Sequence, residues 1–170
     1  MKYSPLSLAL VVFVTLCVTA CSSDSGGSES SADAPGVFDD RVEFRVRIEF
    51  PVGWRRDPDY ELRFSGSDGY VSIVAQDGPG GLKGVADAIA HHKLQPYGSQ
   101  PEIEAITVDG ANGLVIRPSA DQHADLKGQV ALVLERESPL IVSGENYSYL
   151  IIEVDGAHFA QVISTISLYD

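Results

Sequence analysis

Val42-Glu43-Phe44-Arg45-Val46-Arg47-Ile48-Glu49-Phe50-Pro51-Val52-Gly53-Trp54 is the stretch whose reading decides the fold. Val42, Phe44, Val46, Ile48 and Phe50 alternate with Glu43, Arg45, Arg47 and Glu49. A period of two puts all five apolar side chains on one face, which predicts a strand with one dry and one wet side. Pro51-Val52-Gly53 ends it, and the turn aims Trp54 inward. An alternating strand of this kind belongs to a sheet packed on a core.

Downstream, the pattern builds that sheet. Tyr60, Leu62 and Phe64 alternate again, Ser65 to Gly69 turns the chain, and Tyr70 to Ala75 returns, so 60–75 reads as a hairpin. Leu82, Val85, Ala86, Ile89 and Ala90 fall at helical spacing, which predicts an amphipathic helix over 82–94 closed near Pro96. Glu102 to Val108 and Ala111 to Arg117 flank Asp109-Gly110, a strong hairpin signal. Pro118 to Lys127 is a polar loop. Val130–Leu134 and Leu150–Val154 are apolar on both alternating faces, as central strands covered on both sides must be. Leu140 to Ser143 reads as a short strand or as the approach to a turn at Gly144-Glu145-Asn146. Asp155 can cap a closing helix that carries Phe159, Val162, Ile163 and Ile166. The order predicts an α+β fold: an α/β/α sandwich around a mainly antiparallel sheet.

Upstream, the chain carries an address. Met1-Lys2 is a short positive region and Leu6 to Val18 is nearly all apolar. That run suits a signal peptide and is short for a membrane span, which needs roughly 20 residues. Val18-Thr19-Ala20-Cys21 follows and resembles the bacterial lipobox. The resemblance implies cleavage between Ala20 and Cys21 and a diacylglycerol on the Cys21 sulfur. Each buried methylene contributes about 0.8 kcal/mol, so two or more chains hold stably. Residues 1–20 are then a signal peptide, and 21–36 a lipidated cysteine followed by a tether. Ser22 to Gly36 reads SSDSGGSESSADAPG and has no aliphatic residue larger than alanine. It cannot offset its ordering entropy and would reach at most about 50 Å. Residues 37–170 form the single folded domain.

The totals agree. The formal net charge is −12, and removing residues 1–20 takes away one base, Lys2, and no acid. Such a domain does not suit nucleic acid, whose binding needs basic patches. Of two cysteines, Cys17 leaves with the signal and Cys21 takes lipid, so the exported domain has no disulfide. Its core alone must hold it, and about 134 residues from Val37 suffice for one core.

At this point the chain resembles a known family. Phe50-Pro51-Val52-Gly53-Trp54 after an alternating strand is similar to the "F-x-P-x-x-W" opening of PsbP-like domains. The helix at 82–94, Val108-Asp109-Gly110 before a strand, and the closing Val162-Ile163-Ser164-Thr165-Ile166 agree in order over about 38–168. The resemblance implies a PsbP/Mog-like domain in a bacterial lipoprotein. It implies that Phe50 and Trp54 are core residues and that the domain is a binding or assembly module without enzymatic activity.

The residues that could carry chemistry each have a plainer reading. His91 and His92 point about 100° apart on a helix and do not share a metal as i, i+4 histidines do. His123 between Asp121 and Asp125 could hold a cation, but a polar loop explains the spacing equally. Gly78-Pro79-Gly80-Gly81-Leu82-Lys83 sits where a phosphate would, yet lacks the glycine-lysine-serine/threonine pattern and reads as a connector. Glu135 and Glu137 share a strand face and could form a carboxylate pair; beside Arg136 they read as a solvated strand end. Asn146-Tyr147-Ser148 fits a glycosylation acceptor, a pathway not expected beside a lipobox. Ser143 lacks nucleophile-elbow glycines. No catalytic, cofactor-binding or metal residue is assigned. Cys21 is the lipidation site, with cleavage at Ala20 and Cys21.

The functional expectation is a lipid-anchored, non-catalytic binding or assembly module on the extracytoplasmic side of a cell membrane or outer membrane. Its partners are the membrane, through the lipid on Cys21, and an unidentified envelope protein. The alternative is a carrier of a small apolar or envelope-derived ligand in a cleft of the sandwich; an enzyme ranks third.

Overall fold

The computed structural model describes residues 35–60, 62–126 and 128–170. The lipobox at Val18–Cys21 and the tether up to residue 34 lie outside the described residues.

Two antiparallel sheets share one core. β1 (Pro35–Asp40), β2 (Val46–Val52) and β10 (Ser167–Leu168) form a three-stranded sheet in the order β1-β2-β10. β3 (Arg55–Arg56), β4 (Arg63–Ser65), β5 (Tyr70–Gln76), β6 (Glu102–Val108), β7 (Ala111–Arg117), β8 (Val130–Val142) and β9 (Glu145–Val154) form a seven-stranded sheet. Its order is β3-β4-β5-β9-β8-β7-β6, so β8 and β9 are central. Their apolar residues pack on both faces, as their lack of alternation predicted. Val130, Leu132, Leu134, Leu150, Ile152 and Val154 face β2 and α2 (Phe159–Ile163). Ala131, Val133, Tyr149 and Ile151 face Val85, Ala86 and Ala90 of α1 (Gly81–Ala90).

The fold is α+β with a mainly antiparallel sheet between two covering layers. One layer is α1. The other is α2 together with the three-stranded sheet, which the sequence pattern did not separate from the main one.

Several boundaries moved, each for a physical reason. The opening strand starts at Val46 and not at Val42. Asp40 Oδ1 accepts the backbone N–H groups of Val42 (2.9 Å), Glu43 (2.8 Å) and Phe44 (3.2 Å). That side-chain turn satisfies the donors a ladder would otherwise take. It leaves Val42 81% exposed and folds β1 back onto β2. β1 includes Pro35 and Gly36, assigned above to the tether, and Gly36 pairs with Phe50. The closing helix spans Phe159–Ile163 and stops short of Ile166. Asp155 accepts the Ala157 N–H (3.0 Å), one turn ahead of that helix. α1 stops at Ala90 and not near Pro96. The segments at 130–134 and 140–143 are one strand, interrupted by a bulge between Glu135 and Leu140. The hairpin read at 60–75 pairs over 63–65 and 70–72.

Candidate binding cleft

The bulge in β8 creates the site. An antiparallel ladder runs from Val130 to Glu135 against β9, breaks, and resumes at Leu140. The extra residues Arg136 to Pro139 bend out at the sheet end, as bulged strands do. There they meet the β6–β7 turn and the last residues of the chain. Asp109 and Gly110 have φ of 46° and 83°, the pair of positive values that a two-residue hairpin turn requires. Asp is among the residue types that tolerate that region, and the Asp109 Oδ2 accepts the N–H of the distant Leu168 (2.7 Å). Arg45, also at positive φ (47°), ties the bulge to the residues after β10. Its guanidinium donates to Ser138 O and Pro139 O, and its own carbonyl accepts the Tyr169 N–H (2.8 Å).

The result is a cleft of about 720 Å³ lined by residues 109–112 and 135–137 together with Leu168 and Asp170. Arg136 is 8% exposed. Its guanidinium donates to Tyr169 O (2.5 Å), while its Nε has no partner among the described residues. Burial lowers its pKa from the usual arginine value, and Arg45 adds to that, opposed by Asp170 and Asp109. Glu135 and Glu137, read from the sequence as a solvated strand end, are exposed and line this cleft with Asp109 and Asp170.

The other sequence candidates do not converge. His91 and His92 lie just past α1, both exposed. Among the described residues no group of three or more His, Cys, Asp or Glu could hold a metal. His123 Nδ1 is 3.4 Å from Asp125, but Asp121 turns away. Its Oδ1 accepts the Ser119 hydroxyl (2.5 Å) and the Ser99 N–H (3.1 Å). The Ser119 hydroxyl, then Ser99, hold the Asp121 carboxyl down at about 2. Gly80, at φ 86°, simply turns the chain into α1. Ser143 sits in the β8–β9 turn at φ 52° and donates its N–H to Glu43 Oε1 (3.0 Å). Asn146 pairs with Ile141 in the ladder.

Two polar clusters had no local signal in the sequence. In the first, Trp54 Nε1–H donates to Asp68 Oδ1 (2.9 Å), and His158 Nε2 stands 3.1 Å from Asp68 Oδ2. The Trp54 and His158 rings meet edge-on at 5.0 Å. The indole N–H is the main cause of a lowered Asp68 pKa, partly offset by burial. In the second, Gln129 bridges two tyrosines: the Tyr70 hydroxyl donates to its Oε1, and its Nε2 donates to the Tyr97 hydroxyl (3.1 Å). Tyr97 donates in turn to Glu153 Oε1 (2.9 Å). Burial, then Glu153, push the Tyr70 phenol up to about 12 and raise the fully buried Tyr97 further. Arg63 stacks on the Tyr70 ring at 4.0 Å. The contacting residues of the two clusters are 7 to 104 positions apart along the chain.

A second, smaller groove of about 360 Å³ opens beside β5, with Phe44, Leu62, Ile73, Val142 and Tyr147 in its walls.

The backbone is similar to a solved structure, that of cyanobacterial PsbP (CyanoP) from Synechocystis sp. PCC 6803. The TM-score is 0.51 at 14% identity, over 89% of this chain and 99% of that one. The fold is PsbP-like. No protein-family model and no curated protein matches the sequence. The likeness therefore lies in the path of the backbone. The PsbP-like core includes Phe50 and Trp54, 1% and 5% exposed, the two residues expected to be structural.

Proposed function

We propose that this PsbP-like domain is a non-catalytic binding or assembly module, held on the extracytoplasmic side of a bacterial membrane by a lipid on Cys21. The observation that supports it is the PsbP-like fold, matched across nearly the whole length of CyanoP. The lipid rests on the sequence: a positive start, an apolar run, Val18-Thr19-Ala20-Cys21, and a Ser/Gly/acidic tether. The tether gives the domain reach, so its partner would be an envelope protein standing off the same membrane.

Fractionation of cells carrying Cys21→Ser tests the anchor. The variant should leave the membrane fraction or accumulate as uncleaved precursor. A variant that matures and stays membrane-bound removes the lipid from the reading. The module reading is tested by crosslinking the native chain on intact cells. A stoichiometric adduct whose formation is lost when surface residues are changed supports it. A chemical turnover traced to the pure chain overturns it.

The carrier reading draws on the groove beside β5, whose walls set Phe44, Leu62, Ile73 and Val142 beside Ser72 and Ser143. The larger cleft suits a different ligand, because charged and polar side chains dominate its lining.

A further inference from the structure

The cleft at the end of the seven-stranded sheet gathers charges of both signs that do not satisfy one another. Glu135, Arg136 and Glu137 are consecutive at the bulge of β8, and all three line the cleft. Among the described residues Arg136 makes no ion pair. It is nevertheless more than nine-tenths buried, with its Nε unpartnered. A buried charge with no ion-pair partner is costly; Asp170 and Asp109 offset it only from a distance, and a carboxylate bound in the cleft would add to them. The rim has the opposite need. Glu135, Glu137 and Asp170 line one opening, and Asp109 is already committed to the Leu168 N–H.

Simple ions fit this arrangement badly. A lone anion small enough to reach Arg136 meets the carboxylates around it. A lone cation meets Arg136, with Arg45 close behind. Among the described residues a metal lacks a converging set of ligands. The volume, about 720 Å³, falls within the range of small-molecule sites.

We propose that this cleft binds a small amphoteric ligand, an amino acid or the end of a short peptide. Its carboxylate meets the edge of Arg136 that lines the cleft. Its ammonium groups meet Glu135, Glu137 and Asp170. The inference goes beyond the binding-module reading and does not depend on the lipid at Cys21.

The experiment is an NMR titration of the full chain with L-lysine, L-lysinamide and acetate, following the amides of Asn112, Glu137 and Leu168. L-lysine carries both charges, lysinamide the ammonium groups without the carboxylate, and acetate the reverse. L-lysine should give saturable shifts, with lysinamide and acetate each weaker by about tenfold or more, equivalent to about 1.4 kcal/mol. Arg136→Gln should weaken L-lysine by a similar factor and abolish the preference for L-lysine over lysinamide. Because Arg136 is buried, that variant could fail to fold. Glu137→Gln, at an exposed position, should then weaken L-lysine while leaving the melting temperature unchanged. The proposal is overturned if lysinamide binds as tightly as L-lysine, which would make the cleft an unselective acidic patch. It is equally overturned if no saturable shift appears up to the solubility limit of L-lysine, or if Glu137→Gln binds L-lysine as the parent does.

Discussion

Replacing Trp54 with alanine should be among the most damaging single changes in the domain. The side chain is 5% exposed and packs in the larger core cluster with Phe50, Val71, Phe159 and Val162. The turn below it is shaped for the ring: a Cβ built on Gly66 would run into the indole, and one on Gly69 would come within 3.1 Å of its Cζ2. An aromatic side chain buries about 150–250 Å², which at about 25 cal/mol per Å² is about 4–6 kcal/mol. Correcting for residual burial in the unfolded chain brings this to about 3–5 kcal/mol, the usual range for such truncations. The lost bond to Asp68 adds little, since that carboxylate is 58% exposed and rehydrates. With an m-value of about 2 kcal/mol/M, the urea midpoint should fall by about 2 M. Trp54→Phe separates the two contributions, keeping most of the packing and losing the indole N–H. It should cost far less than the alanine change and return the Asp68 pKa upward toward its ordinary value. An alanine variant whose midpoint moves by less than about 0.3 M would show that Trp54 is not part of the core and would refute the argument.

Other expectations follow from single contacts. Gly66→Ala should destabilise by about 1–3 kcal/mol through overpacking against Trp54, read by urea denaturation; an unchanged midpoint would mean that the turn is loose. Asp40→Ala removes the acceptor for three N–H groups and should cost about 0.5–2 kcal/mol, whereas Val42→Ser should stay within about 0.5 kcal/mol. The reverse ranking would place Val42 on the dry face after all. Asp121 is depressed from 3.8 to about 2 in the fold, so its contribution is present above pH 3.8 and is lost as pH falls toward 2. The Ser99 amide shift should titrate with Asp121 near 2, and a midpoint near 3.8 would show that the bonds to Ser99 and Ser119 do not form. A chain beginning at Val37 loses the Pro35 and Gly36 pairings of β1 and should melt below one beginning at Pro35; equal midpoints would return those residues to the tether.

The sequence by itself determined whatever depends on neighbours within a few positions. Glu102–Val108, Asp109-Gly110 and Ala111–Arg117 were readable to the residue, because a two-residue turn sets the register of both strands. The central place of β8 and β9 was readable because a strand covered on both faces cannot alternate. The inward aim of Trp54 followed from the proline and glycine before it.

What tertiary structure alone decided were matters between distant residues. Alternation continued through Val42 and Phe44, yet the carboxylate of Asp40 outcompeted the ladder there and gave β1 its partner. Two-residue β10 has no pattern to detect; it exists because the end of the chain comes to lie beside Arg47 and Val46. The cleft shows the same limit. Glu135-Arg136-Glu137 looks like a solvated strand end in sequence. A bulge, the Asp109 turn and the C-terminal residues assemble around it and bury the arginine. Burial and charge balance are sums over the whole fold, and a sequence window of a few residues contains only part of each sum.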